Sequence, residues 1–276
     1  MLLTCGHHSL DLSEPIVMGV LNVTPDSFSD GGEFVSSAAA LRQARRMAEA
    51  GAAILDVGGE STRPGARPVG IAEELDRVLP VVEALVTELE LPVSVDTSKP
   101  AVMREAIAAG AAMINDVRAL RATGALTALA GSHAAVCLMH MQGEPGTMQA
   151  DPHYDDVVEE VHAFLAGRVE ACEIAGIGRD RIVVDPGFGF GKTPAHNLAL
   201  LAGLREFARD GLPVLAGLSR KSMIGTLTGR ATGERLAGSV ALAALAVANG
   251  ASIIRAHDVA ETVDAVKVAA AIRRYR

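Results

Sequence analysis

The sequence predicts a (β/α)8 barrel, and three observations lead to this fold. Eight short, almost continuously apolar runs recur along the chain, as expected for strands that are buried on both faces. Each run leads through a polar loop into a helical stretch, which indicates parallel strands joined by helices. The length of 276 residues is close to that of a typical barrel of this kind. A doubly wound open sheet is the alternative arrangement of the same units.

The first half of the chain supplies four of these units. Strands are predicted over residues 16–21, 53–57, 93–95 and 112–114. Helices are predicted over residues 36–50 and 71–89. A third helix is predicted to begin at Pro100, because proline is favoured at a first helical position.

The second half of the chain supplies the other four units. Strands are predicted over residues 135–139, 182–184, 213–216 and 252–254, and helices over residues 154–175, 195–208 and 234–249. A glycine follows several of the predicted helices and suits a left-handed residue at the helix end, namely Gly51, Gly110, Gly176 and Gly250. We expect one domain over residues 1–276.

Composition and charge exclude several classes of protein. The formal net charge is −8 and no long basic run is present, which argues against nucleic-acid binding. Cys5, Cys137 and Cys172 are widely spaced and outside any CxxC pattern, which argues against disulfides and structural zinc. No apolar stretch approaches the roughly 20 residues of a membrane span, and the first residues lack the apolar core of a signal peptide. We therefore expect a cytoplasmic protein without a membrane partner.

Polar side chains end every predicted strand. They are Asn22, Asp56, Asp96, Asn115 with Asp116, His140, Asp185, Ser219 to Lys221, and Arg255 with His257. One such residue is commonly a turn or helix-cap residue. The carboxyl ends of all strands in a barrel meet at one mouth, however, where barrel enzymes place their active sites. Eight polar strand ends therefore predict an active site.

Cationic side chains are concentrated in the same loops. They are Arg63, Arg220, Lys221, Arg255 and His257. In an otherwise acidic protein this group predicts a substrate that carries phosphate. The alternative for individual pairs is neutralisation by the aspartates at the strand ends, Asp56, Asp96, Asp116 and Asp185.

Two local patterns are weaker signals. Residues 186–193, PGFGFGKT, look like a phosphate-binding P-loop, but proline replaces the first glycine and a barrel is the wrong context. His140 lies between Met139 and Met141, where a packed, hydrogen-bonded histidine is favoured over a metal ligand. No HxH or HExxH pair supports catalytic zinc.

The loops after the strands carry a series of longer motifs. They are MGVLNVTPDSFSDGG at 18–32, GESTRPG at 59–65, SVDT at 94–97, IND at 114–116, LMHMQG at 138–143, DPGFGFGK at 185–192, GLSRKS at 217–222 and RAHD at 255–258. In this order they resemble the dihydropteroate synthase family, over nearly the whole chain. Gly146 departs from the pattern, since a basic residue is expected there, but the motif residues are unaffected.

The resemblance implies a transferase of folate biosynthesis. Such an enzyme condenses (7,8-dihydropterin-6-yl)methyl diphosphate with 4-aminobenzoate and releases 7,8-dihydropteroate and diphosphate, with Mg²⁺ as cofactor. It also implies a homodimer. The apolar stripes of the last three barrel helices are a candidate face for the dimer, and equally they could mark helices packed in the core.

The resemblance further implies three binding subsites. The pterin subsite comprises Asp96, Asn115, Asp185, Lys221, Met139 and Phe190, with Val117 as a further apolar contact. The diphosphate subsite comprises Asn22, Thr62, Arg63, Arg255 and His257, and Asn22 corresponds to the magnesium ligand. The 4-aminobenzoate subsite comprises Phe28, Pro64, Phe190, Lys221 and Ser222. The residues expected to be catalytic are Asp96, Asp185, Lys221, Arg63, Arg255 and His257.

Elementary chemistry agrees with these roles. Carboxylates accept the N–H groups of a pterin edge, and an amide such as Asn115 both donates and accepts. The diphosphate is expected to leave first, and Asp96 and Asp185 to stabilise the cationic methylene that remains. We expect the loops around Asp26 and Arg63 to close over the site and exclude water.

Two other functions share parts of this pattern. A pterin-binding methyltransferase domain has the same barrel and pocket, but it is expected to lack the Ser219-Arg220-Lys221 and Arg255-Ala256-His257 motifs. An inactive paralogue that only binds pterin is expected to have lost loop residues or Lys221, and these are present.

Overall fold

The computed structural model of the chain describes residues 1–23, 33–61 and 67–275. Its strands are β1 (Leu2–Cys5), β2 (His8–Asp11), β3 (Ile16–Asn22), β4 (Ile54–Gly58), β5 (Val93–Asp96), β6 (Met113–Asp116), β7 (Ala135–Met139), β8 (Ile182–Asp185), β9 (Leu215–Ala216) and β10 (Ile253–Ala256). Its helices are α1 (Glu33–Glu49), α2 (Ile71–Glu88), α3 (Pro100–Ala108), α4 (Ala125–Ala130), α5 (Val157–Ile174), α6 (Pro194–Ala202), α7 (Arg205–Ala208), α8 (Ser222–Thr228), α9 (Leu236–Ala248) and α10 (Val259–Arg273).

The predicted barrel is confirmed. Eight strands form one parallel sheet in the order β8-β7-β6-β5-β4-β3-β10-β9. Its two edges meet where Val184 of β8 pairs with Val214, just before β9. The Val184 N–H also donates to the Pro213 carbonyl at 3.0 Å. The open, doubly wound alternative is therefore wrong.

Burial on both faces explains the apolar strands. Outward residues such as Leu55 and Val95 pack against Val78 and Leu85 of α2 in an outer core between strands and helices. Inward residues such as Met18 belong to a separate inner core that fills the barrel. Alternation along one strand thus sends apolar side chains into two different cores.

Helix starts follow their local sequence. Asp156 caps α5, because its carboxylate accepts the N–H groups of Val158 and Glu159. Pro100 stands at the start of α3, as predicted. The four glycines predicted at helix ends are left-handed, with φ of 97° at Gly51, 102° at Gly110, 88° at Gly176 and 106° at Gly250.

An N-terminal hairpin is the element that the sequence analysis missed. Strands β1 and β2 pair antiparallel, and Leu3 and Cys5 join the inner core. The Gly6 N–H donates to the His133 carbonyl at 3.0 Å. The hairpin therefore covers the amino end of the barrel, opposite the mouth that carries the polar residues.

Two predicted elements differ from the structure by more than a shift of their end residues. The strand expected over residues 213–216 is reduced to β9, since Pro213 has no N–H for the ladder. The helix expected over residues 195–208 is divided into α6 and α7 at Gly203. Within the described residues, no helix is long and apolar enough to cross a membrane.

Candidate active site

Arg255 of β10 connects two aspartates across the barrel mouth. Its Nε lies 2.6 Å from Asp56 Oδ2 of β4, and its Nη2 lies 2.9 Å from Asp96 Oδ2 of β5. Asn115 of β6 donates to the same Asp56 oxygen at 3.1 Å. The strand registers explain this arrangement, because Asp96 is opposite Asn115 and Asp56 is opposite Ser94. Four strand ends thus form one polar network.

Several buried polar atoms at this mouth lack a hydrogen-bond partner among the described residues. They are Asp56 Oδ1, Ser94 Oγ and Asn115 Oδ1, on the neighbouring strands β4, β5 and β6. Buried polar groups are normally hydrogen-bonded, because desolvation without a partner is costly. The three atoms therefore fit a bound molecule that has a polar edge with several hydrogen-bonding groups.

Burial shifts the acids of the mouth toward their neutral forms. Burial raises the pKa of Asp96 to about 7, an effect that Arg255 opposes and the neighbouring Asp56 reinforces. Burial also raises the pKa of Asp185, although Lys221 opposes this. Burial disfavours the charged Arg255 guanidinium, yet Asp56 and Asp96 together raise its pKa. Arg255 therefore stays cationic at any pH of interest.

Lys221, at the start of α8, lies against the loop after β8. Its Nζ donates to the Phe188 carbonyl and lies 4.9 Å from the centroid of the Phe190 ring. Burial lowers the pKa of Lys221 to about 8, and Asp185 opposes this shift. The Asp185 carboxylate in turn accepts the Gly187 N–H at 2.7 Å. The predicted pterin residues Asp185, Lys221 and Phe190 are thus held by one loop.

An apolar cluster lies at the same mouth. Val117, Met139, Met141 and Met148 are buried together, and Phe190 packs against them. The sequence analysis named Val117, Met139 and Phe190 as apolar contacts for a ring. The structure brings these three together, so a flat ring has an apolar surface available beside the polar network.

The remaining predicted anion ligands lie on β3 and after β10. Asn22 ends β3, and no hydrogen bond engages its side chain within the described residues. His257 follows β10, and its Nδ1 lies 3.1 Å from Ser219 Oγ. Ser222 is exposed at the first residue of α8. Phe28, Thr62, Arg63 and Pro64 lie outside the described residues, as does Asp26.

Asn22 is also the predicted magnesium ligand. Among the described residues, no cluster of three or more histidine, cysteine, aspartate or glutamate side chains could hold a metal. A single amide oxygen nevertheless fits Mg²⁺, which keeps several waters and takes its other ligands from substrate phosphates. The residues present therefore fit a magnesium ion that arrives with a phosphate ester, and do not form a preassembled metal cage.

Two predicted mouth residues have local structural roles. Asp116 accepts the Ser98 hydroxyl at 2.5 Å and the Leu120 N–H at 2.7 Å, so its carboxylate holds its own loop. Arg220 donates from Nε to Asp258 Oδ2 at 3.0 Å. The alternative that strand-end aspartates neutralise the cations therefore holds for Arg255. It does not hold for Arg220, whose partner is Asp258.

The P-loop-like segment has a different role from phosphate binding. Lys192 is 2% exposed, and its Nζ donates to the carbonyls of Gly187 at 2.9 Å and Phe190 at 3.0 Å. It also lies 2.9 Å from His140 Nδ1. His140 is thus packed and hydrogen-bonded, as favoured, and the Lys192 ammonium is enclosed by the loop.

Two site residues were given no binding or catalytic role from the sequence. Asp56 is the centre of the polar network, and its position at a strand end was the available signal. Lys192 organises the loop after β8, and its signals were the misleading resemblance to a P-loop and its place at the end of the DPGFGFGK motif.

Comparison with known proteins gives matches over nearly the whole chain. Residues 18–257 match the family of pterin binding enzymes. The dihydropteroate synthase of Escherichia coli (strain K12) is 56% identical over 260 residues, which cover 94% of this chain and 92% of that protein.

Solved structures agree in fold. A Yersinia pestis dihydropteroate synthase in complex with a sulfonamide drug has a TM-score of 0.94 at 53% identity, covering 99% of this chain and 100% of that one. A Xanthomonas albilineans dihydropteroate synthase in complex with 7,8-dihydropteroate has a TM-score of 0.90 at 53% identity, covering 99% of both chains.

Proposed function

The chain belongs to the dihydropteroate synthase family, and from this premise we propose how its own residues carry out the family's reaction. That reaction is the transfer of the (7,8-dihydropterin-6-yl)methyl group from its diphosphate ester to the amine of 4-aminobenzoate, with release of diphosphate, a step of folate biosynthesis. Identity of 56% over 94% of the chain to a dihydropteroate synthase favours this activity over that of a pterin-binding methyltransferase.

The pterin ring binds between the polar network and the apolar cluster. The observation that carries this proposal is the row of unpartnered buried atoms at Asp56, Ser94 and Asn115, beside the carboxylate of Asp96. These atoms offer acceptors for the N–H groups of a pterin edge. Met139 and Phe190 contact the ring faces, and Asp185 and Lys221 complete the polar edge.

Arg255 holds the leaving group while it is itself held in place. A guanidinium has five N–H donors, and Asp56 and Asp96 engage only Nε and Nη2. The remaining donors are available to the diphosphate. Fixed donors stabilise the charge that develops on the leaving group without reorganising during the reaction.

The other diphosphate ligands are Asn22, Thr62, Arg63 and His257. Ser219 orients the His257 imidazole through the contact at Nδ1, which holds the ring beside the diphosphate. Asn22 would hold Mg²⁺ when the ion is bound with the substrate, and the ion would supply further neutralisation of the leaving diphosphate.

Loss of diphosphate leaves positive charge on the pterin methylene. Asp96 and Asp185 stabilise this charge in their ionised forms. The amine of 4-aminobenzoate then forms the new C–N bond and loses one proton. This aniline nitrogen is neutral near pH 7, so the step requires no strong base in the protein.

The 4-aminobenzoate subsite is formed by Phe28, Pro64, Phe190, Lys221 and Ser222. Lys221 lies over the face of Phe190, where its ammonium pairs with the carboxylate of the substrate while the substrate ring packs on the aromatic side chain.

The protein acts as a cytoplasmic homodimer. Leu245 of α9 and Val268 of α10 are 52% and 62% exposed, and these two helices pack against each other. Large exposed apolar side chains on adjacent helices are typical of an interface. Light scattering tests this, since Leu245→Glu with Val268→Glu should shift a dimeric mass to the monomer.

Product formation is the direct test of the activity. The purified protein is incubated with the dihydropterin diphosphate, 4-aminobenzoate and Mg²⁺, with and without a sulfonamide. Dihydropteroate formed only with Mg²⁺ and suppressed by the sulfonamide would support the proposal. Retained pterin binding by calorimetry without product would instead point to a methyltransferase or to an inactive paralogue.

A further inference from the structure

A cavity of about 600 Å³ opens beside the diphosphate ligands and extends along α1. Its lining includes Asn22, His257, Arg42, Arg46 and Arg220. We propose that this α1 pocket is a second anion site, which takes the diphosphate after its bond to the pterin breaks and through which it leaves the enzyme. The inference rests on the proposed function for the identity of the anion.

Two of the three arginines that line the pocket, Arg42 and Arg46, have no acidic partner among the described residues. Arg42 and Arg46 are one helical turn apart, so they project from the same face of α1 and repel each other. Neither forms an ion pair with a described carboxylate, and no carboxylate is among the described lining residues. An anion bound between the two guanidinium groups relieves this repulsion.

The neighbouring Arg45 shows the contrast. It lies on the same helix but outside the pocket lining, and its guanidinium pairs with Glu88 of α2. Arg45, outside the pocket lining, thus has an acidic partner, whereas Arg42 and Arg46 have none within the described part of the chain.

Arg220 adds a fixed cation at the rim of the pocket. Its Nε donates to Asp258 at 3.0 Å, its backbone N–H donates to Ser239 Oγ at 3.0 Å, and its carbonyl accepts from Arg235 at 3.0 Å. Its backbone is left-handed, with φ of 59°, which is unfavourable for a non-glycine residue. These contacts hold the guanidinium at a defined place.

Asn22 and His257 connect the pocket to the reaction. Both are proposed diphosphate ligands, and both line the pocket. An anion at these residues therefore has cations on either side, Arg255 in the barrel mouth and Arg42 with Arg46 beyond. Because the protein has a net charge of −8, this positive path is also the favourable direction for a departing anion.

The test compares Arg42→Ala/Arg46→Ala with the matched control Arg45→Ala. The readouts are inhibition of turnover by added diphosphate and calorimetric binding of inorganic diphosphate with Mg²⁺. We expect the double variant to raise the inhibition constant and the calorimetric Kd about tenfold, because two charge contacts are lost. Arg45→Ala should change either by less than about twofold, and the KM for 4-aminobenzoate should be unchanged.

Unchanged diphosphate affinity in the double variant would overturn the inference. An equal loss of affinity in Arg45→Ala would also overturn it, because the loss would then follow from the net charge of the protein and not from the pocket. Calorimetry measures diphosphate binding without turnover, so it distinguishes failure of this inference from failure of the proposed function. A wild-type protein that made no dihydropteroate would overturn the proposed activity. In that case, loss of diphosphate binding in the double variant and not in Arg45→Ala would still support the α1 pocket.

Discussion

Lys192 Nζ lies 2.9 Å from His140 Nδ1, and both side chains are buried in the barrel mouth. Burial, reinforced by the nearby Lys192 charge, lowers the pKa of His140 to about 3, so the histidine is neutral and accepts. Burial also lowers the pKa of Lys192 to about 7. The lysine therefore binds the loop after β8 through neutral acceptors, without a carboxylate in contact.

Lys192→Met should loosen this loop and weaken 4-aminobenzoate binding. The substitution leaves the part-buried carbonyl of Phe190 without its donor, at about 1–3 kcal/mol. The Gly187 carbonyl loses the ammonium and keeps only the Phe190 N–H at 3.1 Å. The loop positions Phe190 and the Phe188 carbonyl that binds Lys221, so the KM for 4-aminobenzoate should rise more than kcat falls. Urea unfolding and steady-state kinetics measure the two effects.

Lys267→Met is the control, because Lys267 is exposed on α10. It should change neither the unfolding free energy nor the KM for 4-aminobenzoate appreciably.

The pH dependence of stability gives a second check on Lys192. Because the pKa of Lys192 is lowered to about 7 in the folded protein, the folded state binds fewer protons than the unfolded chain above that pH. Lys192 therefore makes the wild-type protein more stable as the pH rises from 7 toward 10. The difference in unfolding free energy between wild type and Lys192→Met should therefore grow between these pH values. A difference that stays constant would contradict the lowered pKa of Lys192.

Pterin binding should strengthen as the pH rises through about 7. Burial raises the pKa of Asp96 to this value, and only the ionised carboxylate accepts the pterin N–H groups. A raised carboxyl pKa also means that the folded state binds more protons than the unfolded chain between pH 4 and 7, so Asp96 contributes a loss of stability as the pH rises across that window.

Calorimetry in buffers of different ionisation enthalpy measures the proton released when pterin binds. Release near pH 6.5 in the wild type and none in Asp96→Asn is the expected pair of results. Equal proton release in both proteins would assign the titration to another group.

Gly187→Ala should prevent stable folding of the barrel mouth. Gly187 has φ of +71°, and an added Cβ would lie 1.9 Å from the His140 carbonyl oxygen. We expect a loss of more than about 3 kcal/mol in the free energy of unfolding. Gly229→Ala separates strain from overlap, because Gly229 has φ of +72° with no atom within 4 Å. Gly229→Ala should lower the free energy of unfolding by only about 1–2 kcal/mol. Comparable losses in the two variants would be inconsistent with an overlap between the added Cβ at Gly187 and the His140 carbonyl oxygen.

Leu3→Ala should destabilise the protein through the N-terminal hairpin. Leu3 is 1% exposed in the inner core, so its truncation should lower the free energy of unfolding by about 2–4 kcal/mol. The adjacent Leu2 is 65% exposed, and Leu2→Ala should cost less than about 0.5 kcal/mol. Chemical denaturation of the two variants measures the contrast, and equal stabilities would mean that the hairpin does not seal the barrel.

The sequence by itself determined the barrel and the position of its site. Burial of a strand on both faces is recorded locally, in short apolar runs, and the end of each strand is recorded by the polar residue that follows. Asn22, Asp96, Asn115, Asp185 and Arg255 could therefore be assigned to one mouth before any contact was known.

Only the tertiary structure decided which of these residues meet. Arg255 pairs with Asp56 across 199 positions of sequence, and Lys192 reaches His140 across 52. The hairpin was missed because its two strands have four residues each and carry little apolar pattern until Leu3 and Cys5 find the inner core. Such pairings depend on the closure of the barrel and on the direction of individual side chains, which no local sequence period records.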